Sequence, residues 1–245
     1  MMLAILMALA AGAVGDAREI AVPPFHDIDL ETGATVRVEP AARHHVSVEG
    51  DPRMVRCVTV EVREGTLVID WASRASRHRK AAVDGDAILV DGRMPCGRPP
   101  AADKLTVNVQ APTIDGVTIS ERGEVEVGGI ASPAFRASVP GSGRIALQDL
   151  KADRTRFTIG GSGVIVASGA LGQLGVTIGG SGRIDTRAAR ASAIAVSIGG
   201  SGTVDATVDG PASGAIGGSG RIAIGGHPTC SFRKLGSGTI TCPVG

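Results

Sequence analysis

The chain has 245 residues, 43% hydrophobic and 20% charged, enough for one sizeable domain with its own core and too apolar for a disordered chain. Its 36 glycines, 2% aromatics and absent tyrosine exclude an ordinary aromatic-filled core, since globular domains average about 7% glycine. A formal charge of +1 with one Trp and four Phe supplies neither the field nor the stacking platforms that nucleic acid binding uses, so nucleic acid is not an expected partner.

Residues 1–15 are apolar or small and uncharged, followed at once by Asp16, Arg18 and Glu19. Too short to span a bilayer, the run reads as a signal peptide, against a buried first strand or an uncleaved anchor. Small residues at Ala13 and Gly15 favour cleavage before Asp16, with acceptable sites two residues to either side. The run lacks Lys and Arg, leaving the terminal amine as its only positive charge, and no cysteine near the cut offers a lipid anchor. No second long apolar run follows, so the expected product is exported to the periplasm, cell surface or medium and is not an integral membrane protein.

After a short segment at 16–24, apolar alternation marks strands at 25–30, 34–38, 45–48, 58–62, 66–70 and 105–109, with turns at Glu31-Thr32-Gly33, Glu49-Gly50-Asp51 and Glu64-Gly65. These are expected to close the lower end of the body as irregular coils or hairpins. Residues 72–103, rich in Arg, Ala and Pro, read as an insertion. In an oxidising compartment the four cysteines suggest bridges Cys57 to Cys96 and Cys230 to Cys242, although three connectivities are formally possible. Zinc is disfavoured, because no cysteines are spaced C-x2-C and the five His are scattered.

From residue 141 the triplet Gly-Ser-Gly returns six times, beginning at Gly141, Gly161, Gly180, Gly200, Gly218 and Gly236, at intervals of 20, 19, 20, 18 and 18 residues. The stretch 119–123 reads as a degenerate earlier copy. Two residues after each closing glycine stands Ile145, Ile165, Ile184, Val204, Ile222 or Ile240, with Val125 in the degenerate copy. Neighbours on either side are polar or variable, so the period is two and the β-branched column faces inward. Such a repeat predicts a right-handed parallel β-helix, with glycine corners required by positive φ or by close backbone approach. Stacked Ile and Val would fill its interior without aromatics.

The export signal, the runs Leu67-Val68-Ile69-Asp70 and 105–112 leading to Val117-Thr118-Ile119, and the serial Ile-Gly-Gly-Ser-Gly-Arg-Ile-Asp repeats together resemble the head GIN domain family of auto-transporter adhesins. The resemblance covers residues 25–226 and implies a β-helical bacterial envelope protein with no assigned catalytic residue. Residues 227–245 then form a disulfide-stapled final coil. A translocating barrel would need many further strands and the sequence stops at Gly245, so self-export through an outer membrane is not expected.

Candidate sites are few. Arg144, Arg183 and Arg221 fall in one outward column on alternate coils, with Glu124 one rung below Arg144 and with Asp185 and Asp205 in the column beside it. This is the candidate ligand face, for an anionic glycan or lipopolysaccharide, against a simple solubilising surface. A second basic cluster, Arg74, Arg77, His78, Arg79 and Lys80, lies in the insertion. The run 179–185 nearly matches a calcium nonapeptide, but Ile184 stands where Asp is needed. No triplet extends to G-x-G-x-x-G before a helix, which removes dinucleotide binding. His44 and His45 alternate faces, and the single outward column of Thr118, Ser138, Thr158, Thr177 and Ser197 lacks the paired threonines of ice-binding solenoids. A polysaccharide lyase or hydrolase is the rival reading, resting on Asp185 beside Asp205 at about 5 Å, but with no groove and with Trp71 remote. The expectation is therefore a non-enzymatic binding or scaffold module without cofactor, whose partner is a glycan or another surface protein.

Overall fold

The structure is a computed structural model that describes residues 16–72 and 105–243. The predicted signal peptide, the basic cluster at 74–80 and Cys96 lie outside the described residues. Among the described residues eighteen strands join in one sheet, wound as a parallel β-solenoid of about six turns.

The regular body starts with β8 (Gly116–Ile119), β9 (Glu124–Gly128) and β10 (Ala131–Val139). Three long ribbons follow, β11 (Arg144–Ile159), β12 (Val164–Ile178) and β13 (Arg183–Ile198). The last coils are split into β14 (Thr203–Val208), β15 (Pro211–Ile216), β16 (Arg221–Gly226), β17 (Thr229–Lys234) and β18 (Thr239–Thr241). Register repeats without slippage across the first face, where Ile145 pairs with Ile165, Ile165 with Ile184, Ile184 with Val204 and Val204 with Ile222. The predicted inward column is the core: Val125, Ile145, Ile165, Ile184, Val204 and Ile222 are fully buried, and Ile240 is partly so. A second column, Val139, Ile159, Ile178, Ile198 and Ile216, is buried on the other side of the corners. The variable arm of each repeat is also β structure. Leu150, Leu171 and Ala191 close the third side of the coil, and irregular register in the ribbons, as between Leu147 and Leu150, absorbs the differing repeat lengths.

Close approach, rather than positive φ, explains the corners. Among the triplet glycines only Gly236 has a left-handed φ, 139°. A Cβ on Gly182 would lie 2.7 Å from the Gly163 carbonyl oxygen and against Ile159 Cγ2 of the coil beneath. One on Gly180 would meet the Gly161 carbonyl oxygen. The glycine before each triplet is different, because a Cβ on Gly179 would find nothing nearer than 3.8 Å. Corner amides are spent within the stack: Ser162 N donates to Gly141 O at 3.1 Å, Ser181 N to Gly161 O at 3.0 Å and Ser201 N to Gly180 O at 3.1 Å.

The lower end departs from simple succession. A first coil is built from β2 (Asp27–Leu30) and β3 (Thr35–Pro40), which pair in parallel with β8 and β9 above. Beneath them lie two later strands, β6 (Thr66–Trp71) and β7 (Leu105–Ala111), so chain order and spatial order are exchanged. The predicted insertion begins where β6 ends. Antiparallel strands then finish this end: β4 (His45–Gly50) on β7, β1 (Asp16–Ile20) on β4, and β5 (Val58–Arg63) on β6. The β5–β6 turn places Glu64 at φ 49° and Gly65 at φ 79°, the pair of left-handed residues that a tight hairpin favours. A four-residue helix, α1 (Pro52–Val55), is capped by Asp51, whose carboxylate accepts from Arg53 N at 2.8 Å. Its Met54 and Val55 join Trp71 and Val58 in the core.

At the upper end Cys230 and Cys242 form a disulfide, with Cα atoms 6.6 Å apart. Cys230 sits in register above Ala212, itself above Ile194, so the bond closes over the apolar interior. Cys57 is also disulfide-bonded, and its predicted partner Cys96 lies outside the described residues.

Candidate functional site

Because side chains alternate along each strand, the two limbs of every corner present two outward faces. On the limb after the corner the order up the stack is Glu124, Arg144, Val164, Arg183, Thr203, Arg221 and Thr239, as the spacing of the triplets predicts. Glu126, Ala146, Val166, Asp185, Asp205, Ala223 and Thr241 form the next column. The structure brings Arg183, Asp185 and Asp205 together: one Arg183 nitrogen lies 2.6 Å from Asp205 and 3.7 Å from Asp185. Asp185 also binds Arg187 at 2.6 Å, and Arg144 pairs with Glu124 at 3.1 Å. Arg221 makes no ion pair among the described residues.

This internal pairing has a chemical consequence. The hydrogen bond from the Arg187 side chain holds the Asp185 carboxyl below the usual carboxylate range, with the Arg187 amide and the charges of Arg187 and Arg183 acting in the same direction. Asp185 is thus a fixed anion, whereas a glycosidase acid must keep its proton near neutrality. Its stabilising contribution is complete above the ordinary carboxylate range and is lost as pH falls through the lowered value.

On the limb before the corner the outward side chains named in the sequence analysis are hydroxyls. Thr118, Ser138, Thr158, Thr177 and Ser197 do stack in register, on β8, β10, β11, β12 and β13. Two residues earlier on the same face runs the column Asp27, Gly116, Arg136, Arg156, Gly175 and Ala195. Two earlier again, Ala134 lies under Arg154, and Gln173 and Ala193 lie above it. All three arginines are exposed. Arg136 has one weak ion pair, 3.4 Å to Asp27, and Arg154 and Arg156 have none among the described residues. At the foot of this face Asp29 accepts from Ser120 Oγ at 3.2 Å, and burial pushes its carboxyl above the ordinary range.

Next to this face the third side carries an open depression of about 600 Å³. Its wall residues Pro133, Asp153 and Gly172 immediately precede Ala134, Arg154 and Gln173. Elsewhere His44 Nε2 lies 2.9 Å from the Phe25 carbonyl oxygen, while the following His45 is exposed. No group of three His, Cys, Asp or Glu side chains among the described residues is placed to hold a metal ion. The arginines on β10 and β11 do not emerge from the repeat, because their column is not repetitive and reads Asp27, Gly116, Arg136, Arg156, Gly175 and Ala195.

A family model described as "Putative auto-transporter adhesin, head GIN domain" matches residues 24–228. Crystal structures that share the fold include the following three. One is a "putative adhesin" from Bacteroides fragilis, with a TM-score of 0.76 at 21% identity, covering 92% of this chain and 95% of that one. Another is a "putative adhesin" from Parabacteroides distasonis, with a TM-score of 0.60 at 18% identity over 92% and 95% of the two chains. The third, from the same species, is called a "putative lipid binding protein", with a TM-score of 0.58 at 19% identity over 94% and 98%. Among curated proteins no match was found.

Proposed function

The chain belongs to the head GIN domain family, and from that membership we propose that it is an exported, non-enzymatic module that binds surface molecules as adhesins do. The observation that carries the reading is the solenoid itself. Its outward columns set like side chains on successive strands about 4.8 Å apart, so weak contacts multiply along one axis. The three solved structures described above are named "putative adhesin" or "putative lipid binding protein". No helix among the described residues is long and apolar enough to cross a membrane. Export to the periplasm or cell surface follows from residues 1–15 read as a signal.

Asp185 and Asp205 are engaged by Arg183 and Arg187, and the lowered Asp185 carboxyl leaves it unsuited to the proton-donating role that the rival polysaccharide-processing reading needs from one of the two. The Arg144, Arg183 and Arg221 column is a contact face of matched charges with Arg221 its open member. Purified mature protein applied to intact bacterial cells and to a glycan array, scored for retention and for released product, tests both readings. Retention without product is expected. Product that disappears in Asp185→Asn would replace the reading with catalysis. Changing Arg144, Arg183 and Arg221 to Ser weakens retention if that column makes contact, and unaltered retention removes it from the binding surface.

A further inference from the structure

We propose that Arg136, Arg154 and Arg156, with the hydroxyl column beside them, form a binding surface for an anionic polysaccharide; this deepens the reading of the chain as a surface-binding module and rests on it. Arg136 and Arg156 occupy directly opposed positions on adjacent parallel strands, an arrangement that is unfavourable for like charges unless something neutralises it. On several other faces the chain supplies the neutralising group itself, with Glu124 beside Arg144, Glu126 beside Arg37, Asp205 beside Arg183 and Asp209 beside Arg190, although Arg221, on the other limb of the corner, also stands without one among the described residues. On this face only Asp27 does so, at 3.4 Å from Arg136. Arg154, two residues before Arg156, faces the same way and also lacks a carboxylate partner among the described residues. The guanidinium groups of Arg154 and Arg156, with that of Arg136 held only weakly by Asp27, are left to be matched by an external anion, for which their planar donor pairs suit carboxylate or sulfate.

The surroundings select a polymeric sugar. Ser138 and Thr158 run beside Arg136 and Arg156 on the same two strands, and Thr177 and Ser197 continue that column upward beside Gly175 and Ala195. The result is a flat strip along the solenoid axis with charge at one part and hydroxyl donors and acceptors at strand spacing beyond it. The depression bounded by Pro133, Asp153 and Gly172 adjoins Arg154 and gives a substituent room. A single-stranded nucleic acid would want aromatic platforms, and these three columns hold none. A membrane would want apolar side chains to enter it, yet the one exposed large hydrophobic among the described residues is Leu235, in the corner before the final strand.

The experiment measures binding of the full mature protein to immobilised polygalacturonate and dextran sulfate, with neutral dextran and vesicles containing phosphatidylglycerol as comparisons. Binding to at least one charged glycan that weakens with salt, with none to neutral dextran, is expected. The triple variant Arg136→Ser, Arg154→Ser, Arg156→Ser should bind about tenfold more weakly, while the corresponding lysine variant, which keeps the charge but not the planar donor pairs, should fall between it and the wild type. Changing the exposed cap residues Arg43, Arg53 and Arg56 to Ser removes the same charge elsewhere and should have little effect. Unfolding midpoints of the variants report whether each is folded. Equal losses from both serine triples, undiminished binding by the first, or binding to vesicles alone would overturn the assignment. Wild type that binds cells but neither charged glycan would overturn it while leaving the surface-binding reading intact.

Discussion

The closing glycine of each corner is fixed by the atoms below it. At Gly182 the Gly163 carbonyl oxygen and the Ile159 side chain occupy the place of a Cβ, and both belong to a coil that is itself held by strands on either side. Gly182→Ala is therefore an overpacking substitution and should cost about 1–3 kcal/mol. Gly179→Ala, three residues away in the same corner, should change stability by less than about 0.5 kcal/mol. Pro140 and Leu235 already fill the equivalent place in the first and last copies. Urea unfolding of the two variants checks the contrast, and equal losses would show that backbone conformation, not space, requires glycine. Thr155 presents the opposite case. It is 4% exposed with an unpaired hydroxyl, stacked between Phe135 and Leu174. Thr155→Val keeps the shape and removes a buried unsatisfied group, which should raise stability by about 1 kcal/mol. A lowered unfolding midpoint would reveal a partner for that hydroxyl.

Among the elements, the strands of the repeat were legible because one constraint, burial of every second residue, acts on each copy at a constant distance from an invariant corner. Ile145 and Ile184 needed no tertiary information to be placed inside. The lower end was legible only as strands. That β6 and β7 would slide beneath β2 and β3 depends on pairing between segments far apart in sequence, and alternation at Leu67 or Val107 marks an inner face without naming its neighbour. The candidate site was read in part for a related reason. The Arg144, Arg183 and Arg221 column followed from the repeat, but its neutralisation by Glu124 and Asp205 depends on side-chain reach between coils. The β17–β18 coil has one neighbour only, and its disulfide lies over the interior left uncovered above. Replacing Cys230 and Cys242 by Ser should cost about 2–3 kcal/mol. Limited proteolysis should then cut first near the Leu235 corner, and cleavage elsewhere at the wild-type rate would deny the bond a capping role.

For the whole molecule, stability is a sum over adjacent coils, because β11, β12 and β13 touch chiefly the ribbons immediately above and below them. Such a stack does not open uniformly. A central coil exposes two interfaces when it unfolds, a terminal coil one, and the terminal coil here also has short strands and an exposed Leu235. Amide hydrogen exchange should accordingly be slowest in β11 to β13, faster in β16, and fastest in β17 and β18, with reduction of the disulfide moving the fast boundary inward by about one coil. The central arginine strip on β10 and β11 would then stay rigid while the upper end breathes, as a surface that must hold several anionic groups in register requires. Uniform protection from β8 to β18, with all amides exchanging in one global step, would show that the coils are coupled too strongly for this nearest-neighbour account.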